Sequence, residues 1–153
     1  MTAQELGAKA APGQPELTFA TAIRAEIAAP LVVGAVDGAV REIFPITGGA
    51  ALGPLITGRV VPGGADWALR RADGSYRIEA KYCIELTDGT LITITNAGRM
   101  WPQPDGSFAG RTKAEIEVGP GPHEALGDMI FFGTALAEAD REDAVFIELY
   151  RAT

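Results

Sequence analysis

Residues 75–86 read "SYRIEAKYCIEL", and this stretch decides the fold. Side chains of an extended chain alternate between its two faces. Tyr76, Ile78, Ala80, Tyr82, Ile84 and Leu86 therefore share one face, and Arg77, Glu79, Lys81, Cys83 and Glu85 share the other. One face is apolar with two phenols, and the opposite face is mixed and charged. That is the pattern of a strand with a core on one side and water on the other.

Asp-Gly flanks this strand at 73–74 and 88–89, and occurs again at 37–38 and 105–106. Between alternating runs, Asp-Gly predicts a tight hairpin of type I′, whose two central residues both need positive φ. Working outward, strands are predicted at 17–27, 30–36, 39–49, 53–64, 66–71, 90–100, 110–119, 128–138 and 143–152. Only 122–129 and 136–143 have room for a helical turn. The fold class is all-β, an antiparallel meander. A closed barrel is favoured over a sandwich, because closure removes exposed edges and Gly34, Gly53, Gly58 and Gly98 inside strands fit barrel bends or bulges.

The 153 residues suit one domain, expected over 16–153 after a loose lead at 1–15. Hydrophobic residues make up 47% of the chain, enough for a real core. Thirteen basic against 20 acidic residues give a net charge of -7. This balance argues against nucleic acid and against anionic membrane surfaces as partners, since phosphate binding wants clustered Lys and Arg. Cys83 is the single cysteine, so no internal disulfide forms. Residues 1–15 lack a basic region followed by an apolar run, and no segment approaches the ~20 apolar residues of a membrane helix. The expected location is cytoplasmic.

Strong catalytic signatures are absent. The sequence has no GxGxxG after a strand, no P-loop, no HExxH, no CxxC and no GxSxG. A single histidine, His123, rules out a multi-histidine zinc site. No metal and no redox cofactor is expected.

What remains is a set of polar residues in unusual places. Asp66 follows Gly63-Gly64 and precedes Trp67. Gly-Gly lets the backbone bend sharply and leaves room for a ligand. An acid in an apolar, indole-lined site has a raised pKa and can give or take a proton. The plainer alternative is that Asp66 satisfies backbone N–H groups in a tight loop. Glu79 and Tyr82 lie on opposite faces of their strand, their separation being odd. Asn96 ends the run "ITITN", where turn capping is the plain alternative. Arg111 and Glu117, six apart, share a face, and a structural ion pair is their plain alternative. Arg41 is placed to balance Asp66 or to hold an anionic group.

The block "GGADWALRRADGSYRIEAKYCIELTDGTLITITNAGR" (63–99) resembles the core signature of a bacterial family, domain of unknown function 3237. The resembling positions include Gly58, Pro62, Gly63, Gly64, Asp66, Trp67, Glu79, Tyr82, Asn96 and Gly98. Upstream "REIFPITGGAALGP" (41–54) and downstream "RTKAEIE" (111–117) are similar to further stretches of the family. The chain departs from the family pattern at "EALGD" (124–128) and in its short segment between Gly98 and Arg111. The resemblance implies a small barrel, calycin-like or allene-oxide-cyclase-like, that holds one small and largely apolar molecule.

These readings combine into one expected site. Gly63-Gly64 turns the chain so that Asp66 and Trp67 face a cavity. Trp67, Tyr82, Phe44 and Phe131 form its apolar wall, and Arg41, Asp66, Asn96, Arg111 and Glu117 are its polar groups. Asp66 is the expected general acid or base, Arg41 or Arg111 stabilises developing negative charge, and Glu79 is a reserve carboxylate. The expected function is a cofactor-independent isomerase, cyclase or hydro-lyase acting on a small apolar, aromatic or terpenoid-like molecule. The alternative is a non-catalytic barrel that carries or senses such a ligand. A third reading is an assembly role, with "MIFFGTALA" (129–137) burying a contact in a homo-oligomer.

Overall fold

A computed structural model describes residues 1–7 and 13–153; part of the expected lead, residues 8–12, lies outside the described residues. The lead opens on a short helix, Ala3–Gly7. Thr2 and Glu5 cap it reciprocally: the Glu5 N–H donates to Thr2 Oγ1 at 3.1 Å, and Thr2 N donates to Glu5 Oε2 at 2.7 Å.

Nine strands follow: β1 (Leu17–Ile27), β2 (Leu31–Val36), β3 (Ala39–Leu52), β4 (Gly58–Arg70), β5 (Tyr76–Leu86), β6 (Leu91–Pro102), β7 (Phe108–Val118), β8 (Ile130–Ala137) and β9 (Ala144–Ala152). All pairings are antiparallel, and from β2 to β9 each strand pairs with the next. β1 pairs with β9 on one side and β3 on the other, which closes eight strands into a barrel. β1 and β2 lie end to end along β3, separated by Ala28-Ala29-Pro30. β2 thus stands outside the closed ring as a hairpin flap.

The expected strands at 53–64 and 66–71 are one strand, β4. Gly63-Gly64 does not reverse the chain; it forms a bulge in which three residues of β4 oppose one of β5, between the pairs Val61–Cys83 and Ala65–Lys81. Gly63 has φ +119, a conformation that disfavours side chains. At Gly64 a Cβ would sit 2.5 Å from the Lys81 carbonyl oxygen and 2.5 Å from Tyr82 Cβ. β4 therefore presses directly on the backbone of β5 there.

The Asp-Gly turns divide into two kinds. Asp37-Gly38 has positive φ at both residues, as a type I′ turn requires. At 73–74, 88–89 and 105–106 only the glycine is left-handed, and its N–H closes a turn on the residue three before it. The reason is the Ser or Thr that follows. Asp73 and Asp105 accept from the backbone and hydroxyl of Ser75 and Ser107, and Asp88 accepts from the Thr90 N–H. These bonds hold the aspartate in right-handed backbone and add a residue to the loop. The helical turn expected at 136–143 is absent; β8 continues to Ala137. At 122–129 a single 3-10 turn forms, Glu124–Asp128.

Ile23, Ile56, Ile84, Ile92, Ile94 and Leu149 are fully buried and fill one half of the barrel. Leu126 of the 3-10 turn joins this core where β7 ends. Each such side chain contributes roughly 1.5–3 kcal/mol of burial. The other half, where β3, β5 and β7 begin, sets the small or polar Ala68, Ala80, Gly98, Gly110, Thr112 and Ala135 beside the bulkier Ile78 and Met100. This asymmetry positions the site.

Candidate functional site

One row of inward positions crosses the wall at right angles to the strands: Phe44, Asp66, Ala80, Asn96, Ala114 and Phe131, each paired with the next. Asp66 and Asn96 are two strands apart, with only the methyl of Ala80 between them. Strand spacing of ~4.8 Å puts their backbones roughly 10 Å apart. Tyr82 lies one inward step along β5 and Thr112 one inward step along β7. Tyr82 falls in the next row with Ile94 and Ile116, and Thr112 in the row on the other side with Ile78 and Gly98, so the phenol and the hydroxyl flank the Asp66–Asn96 row from its two sides.

Asp66 is half-buried, and its Oδ1 accepts the Glu79 N–H at 3.0 Å. Its pKa is pushed up from 3.8 to about 6. Burial of the carboxyl is the main cause, and the Glu79 charge adds to it; the Glu79 N–H and the Arg41 guanidinium pull the other way. The backbone-capping alternative is therefore true of one oxygen only. Tyr82 is fully enclosed, and burial first, then the Asp66 charge, raises its pKa. Tyr82 is a hydrogen-bond donor at neutral pH and not a base. The Tyr82 hydroxyl, Asn96 Oδ1 and Thr112 Oγ1 are all buried and have no hydrogen-bond partner among the described residues.

A second polar group stands at the mouth. Glu42, only 7% exposed, receives Arg70 Nε at 2.9 Å and the Tyr76 hydroxyl at 3.0 Å. Burial, then the bond to Glu42, pushes the Tyr76 pKa up to about 12. Phe44, Tyr76 and Phe108 meet edge to face, with ring centroids 6.4 Å and 5.3 Å apart, and form an aromatic rim.

The structure brings together Asp66, Tyr82, Asn96, Phe44 and Phe131 and separates the other expected residues. Trp67, adjacent to Asp66 on a strand, points the opposite way and is 53% exposed. Arg41 also faces outward and donates to the Trp67 carbonyl at 2.8 Å. Arg111 is exposed and reaches the carbonyl of its neighbour Gly110. Glu117 is on the outer face with the Thr93 hydroxyl, and the Glu79 side chain is exposed on the sheet exterior. One cause covers all five: strict alternation sends them outside once Asp66, Asn96 and Thr112 are inside. Two surface depressions, of about 550 Å³ and about 360 Å³, lie at the rim around Ile27 and Asp143 and around Asp37 and Asp73. Asp66 lines neither.

Glu42, Arg70 and Thr112 were not among the sequence candidates. Two of them had a readable signal. Glu42 interrupts the stripe Val40, Phe44, Ile46, and Thr112 interrupts Gly110, Ala114, Ile116. A polar residue on an apolar stripe marks a position where the interior needs a partner.

The family described as protein of unknown function (DUF3237) matches residues 15–152. The chain belongs to that family. A UPF0311 protein of Rhodopseudomonas palustris is 31% identical over 139 residues, covering 82% of this chain and 91% of the relative. A beta-barrel like protein from Acinetobacter baumannii superposes with a TM-score of 0.84 at 22% identity, over 93% of this chain and 98% of that one. The hydroalkoxylation enzyme phnH of Penicillium herquei is 36% identical over 61 residues, 40% of each chain. The crystal structure of an enzyme from the same fungus superposes with a TM-score of 0.73 at 23% identity, over 94% of this chain and 98% of that one. No helix among the described residues is long and apolar enough to cross a membrane.

Proposed function

We propose that this DUF3237 barrel is a cofactor-independent acid–base enzyme acting on a small, largely apolar molecule, with Asp66 as the group that moves the proton. The observation that carries the proposal is a carboxyl with a pKa near about 6, on a wall that also presents unpartnered phenol, carboxamide and hydroxyl groups. A carboxyl in this range exchanges protons in either direction near neutral pH. The partial likeness to a hydroalkoxylation enzyme supports one reaction type, addition of an alcohol O–H across a carbon–carbon double bond. In such a step the C=C π bond breaks, a C–O bond forms, and the hydroxyl proton ends on the other alkene carbon. No oxidant or reductant is consumed. Asp66 relays the proton and is restored, while Tyr82 donates a hydrogen bond to an oxygen that gains charge.

The proposal is tested first without substrate. A carbon-13 titration of the Asp66 carboxyl is expected to show a midpoint near about 6. An ordinary value near 3.8 removes the basis of the proposal. The second test uses 2-prenylphenol, followed to its cyclic ether isomer by gas chromatography with mass detection. Asp66→Asn is expected to lower turnover about 100-fold or more while leaving probe affinity within about threefold. A barrel that binds the probe without converting it is a carrier.

A further inference from the structure

Resting on that reading, we infer that the barrel interior beside Asp66 is built for an uncharged, hydroxylated occupant whose O–H donates to Asn96 Oδ1 and whose oxygen accepts from Tyr82 or Thr112. The inference starts from hydrogen bonds left unmade. Asn96, Tyr82 and Thr112 are 2%, 3% and 6% exposed, and each carries a buried polar atom with no partner. An orphaned buried group costs roughly 1–3 kcal/mol, and folded proteins keep few of them. Three on adjacent strands of one wall, beside a titrating carboxyl, constitute a built site.

The chemistry of the three atoms selects the occupant. Asn96 Oδ1 is an amide oxygen and only accepts, so its partner must carry an O–H or N–H. The Tyr82 phenol remains protonated and donates, so it needs an acceptor oxygen. Thr112 does either. Charge narrows the class further. Asp66 and Glu42 are carboxylates turned inward, while Arg70 is already engaged by Glu42 and Arg41 by the Trp67 carbonyl. A carboxylate or phosphate ligand would meet negative charge with no free guanidinium to offset it. Ala80 places only a methyl between Asp66 and Asn96.

The test compares three probes by NMR titration of the full chain: 2-prenylphenol, its methyl ether, and 2-prenylbenzoate. The phenol is expected to bind about tenfold or more tightly than the ether, which lacks the donor. The benzoate is expected to bind no better than the ether. Asn96→Ala is expected to abolish the phenol–ether difference, and isosteric Thr112→Val to weaken the phenol while raising the melting temperature. Equal binding of phenol and ether, or a preference that survives Asn96→Ala, overturns the inference. So does a high-resolution structure in which ordered waters hold all three atoms and the phenol leaves them in place. These readouts do not need turnover. Cyclisation with equal phenol and ether affinity sinks this inference alone, whereas a phenol preference with turnover intact in Asp66→Asn sinks the catalytic reading alone.

Discussion

At the scale of single residues, Asp66 carries an energetic cost that a merely structural aspartate would avoid. The unfolded chain ionises it near 3.8 and the folded chain near about 6. Below the lower value both states are protonated. Between the two, the unfolded chain has lost its proton and the folded chain has not, so rising pH favours unfolding. Above about 6 both are ionised and the penalty is complete. Asp66→Asn is therefore expected to be more stable than the parent by roughly 2 kcal/mol at about pH 7, a rise of roughly 4–8 °C in melting temperature. The gain should vanish near pH 4, which calorimetry across pH will show. Trp67→Ala is expected to change affinity for 2-prenylphenol by less than about twofold, its indole being on the outer face. This residue pair also marks how far the sequence was legible. Asp66 stood out because it follows Gly63-Gly64 and precedes Trp67, Tyr82 as a phenol on the apolar face of its strand, and Asn96 because it ends the run "ITITN". Trp67, Arg41, Arg111 and Glu117 were drawn into the same site by nearness in sequence or by chemical type, and alternation placed them on the other side of the wall.

At the scale of elements, the β4 bulge decides where Asp66 sits. The sequence reading took Gly63-Gly64 as the end of a strand. In the fold the strand runs on, because the two glycines absorb extra residues while pairing resumes at Ala65. Such a bulge is hard to read from one sequence, since the same dipeptide serves a turn equally well. Gly48-Gly49 in β3 is the neighbouring irregularity, where pairing with β4 shifts between Ile46 and Ala50. The two pairs of glycines together bend the wall. Gly64→Ala would push a methyl into Lys81 and Tyr82, at distances atoms do not tolerate. It is expected to cost roughly 2–4 kcal/mol, read by urea denaturation, and to displace the Tyr82 ring. Strands at either side of the Asp-Gly turns were legible because period-two patterning and turn residues agreed. The loop geometry was not, since Ser75, Thr90 and Ser107 redirect the aspartate through side-chain bonds.

At the scale of the whole molecule, closure depends on β9 and β1. The barrel could be expected from the need to remove sheet edges and from the glycines inside strands, but the pairing that seals it joins residues more than a hundred positions apart and leaves no local trace. Removing residues 144–153 exposes β1 and β8 together. The truncated chain is expected to lose its cooperative thermal transition, as measured by circular dichroism at a β-sheet wavelength. Sealing brings a further result. Leu17 pairs with Ala152, and Glu16 and Thr153 exchange two backbone hydrogen bonds of 3.0 Å. The start and finish of the barrel are thus neighbours, and where the chain is cut is independent of how the wall is knit. A short linker across that seam, with new termini opened at Asp105-Gly106, should yield a circular permutant with the same ring of strands and the same interior.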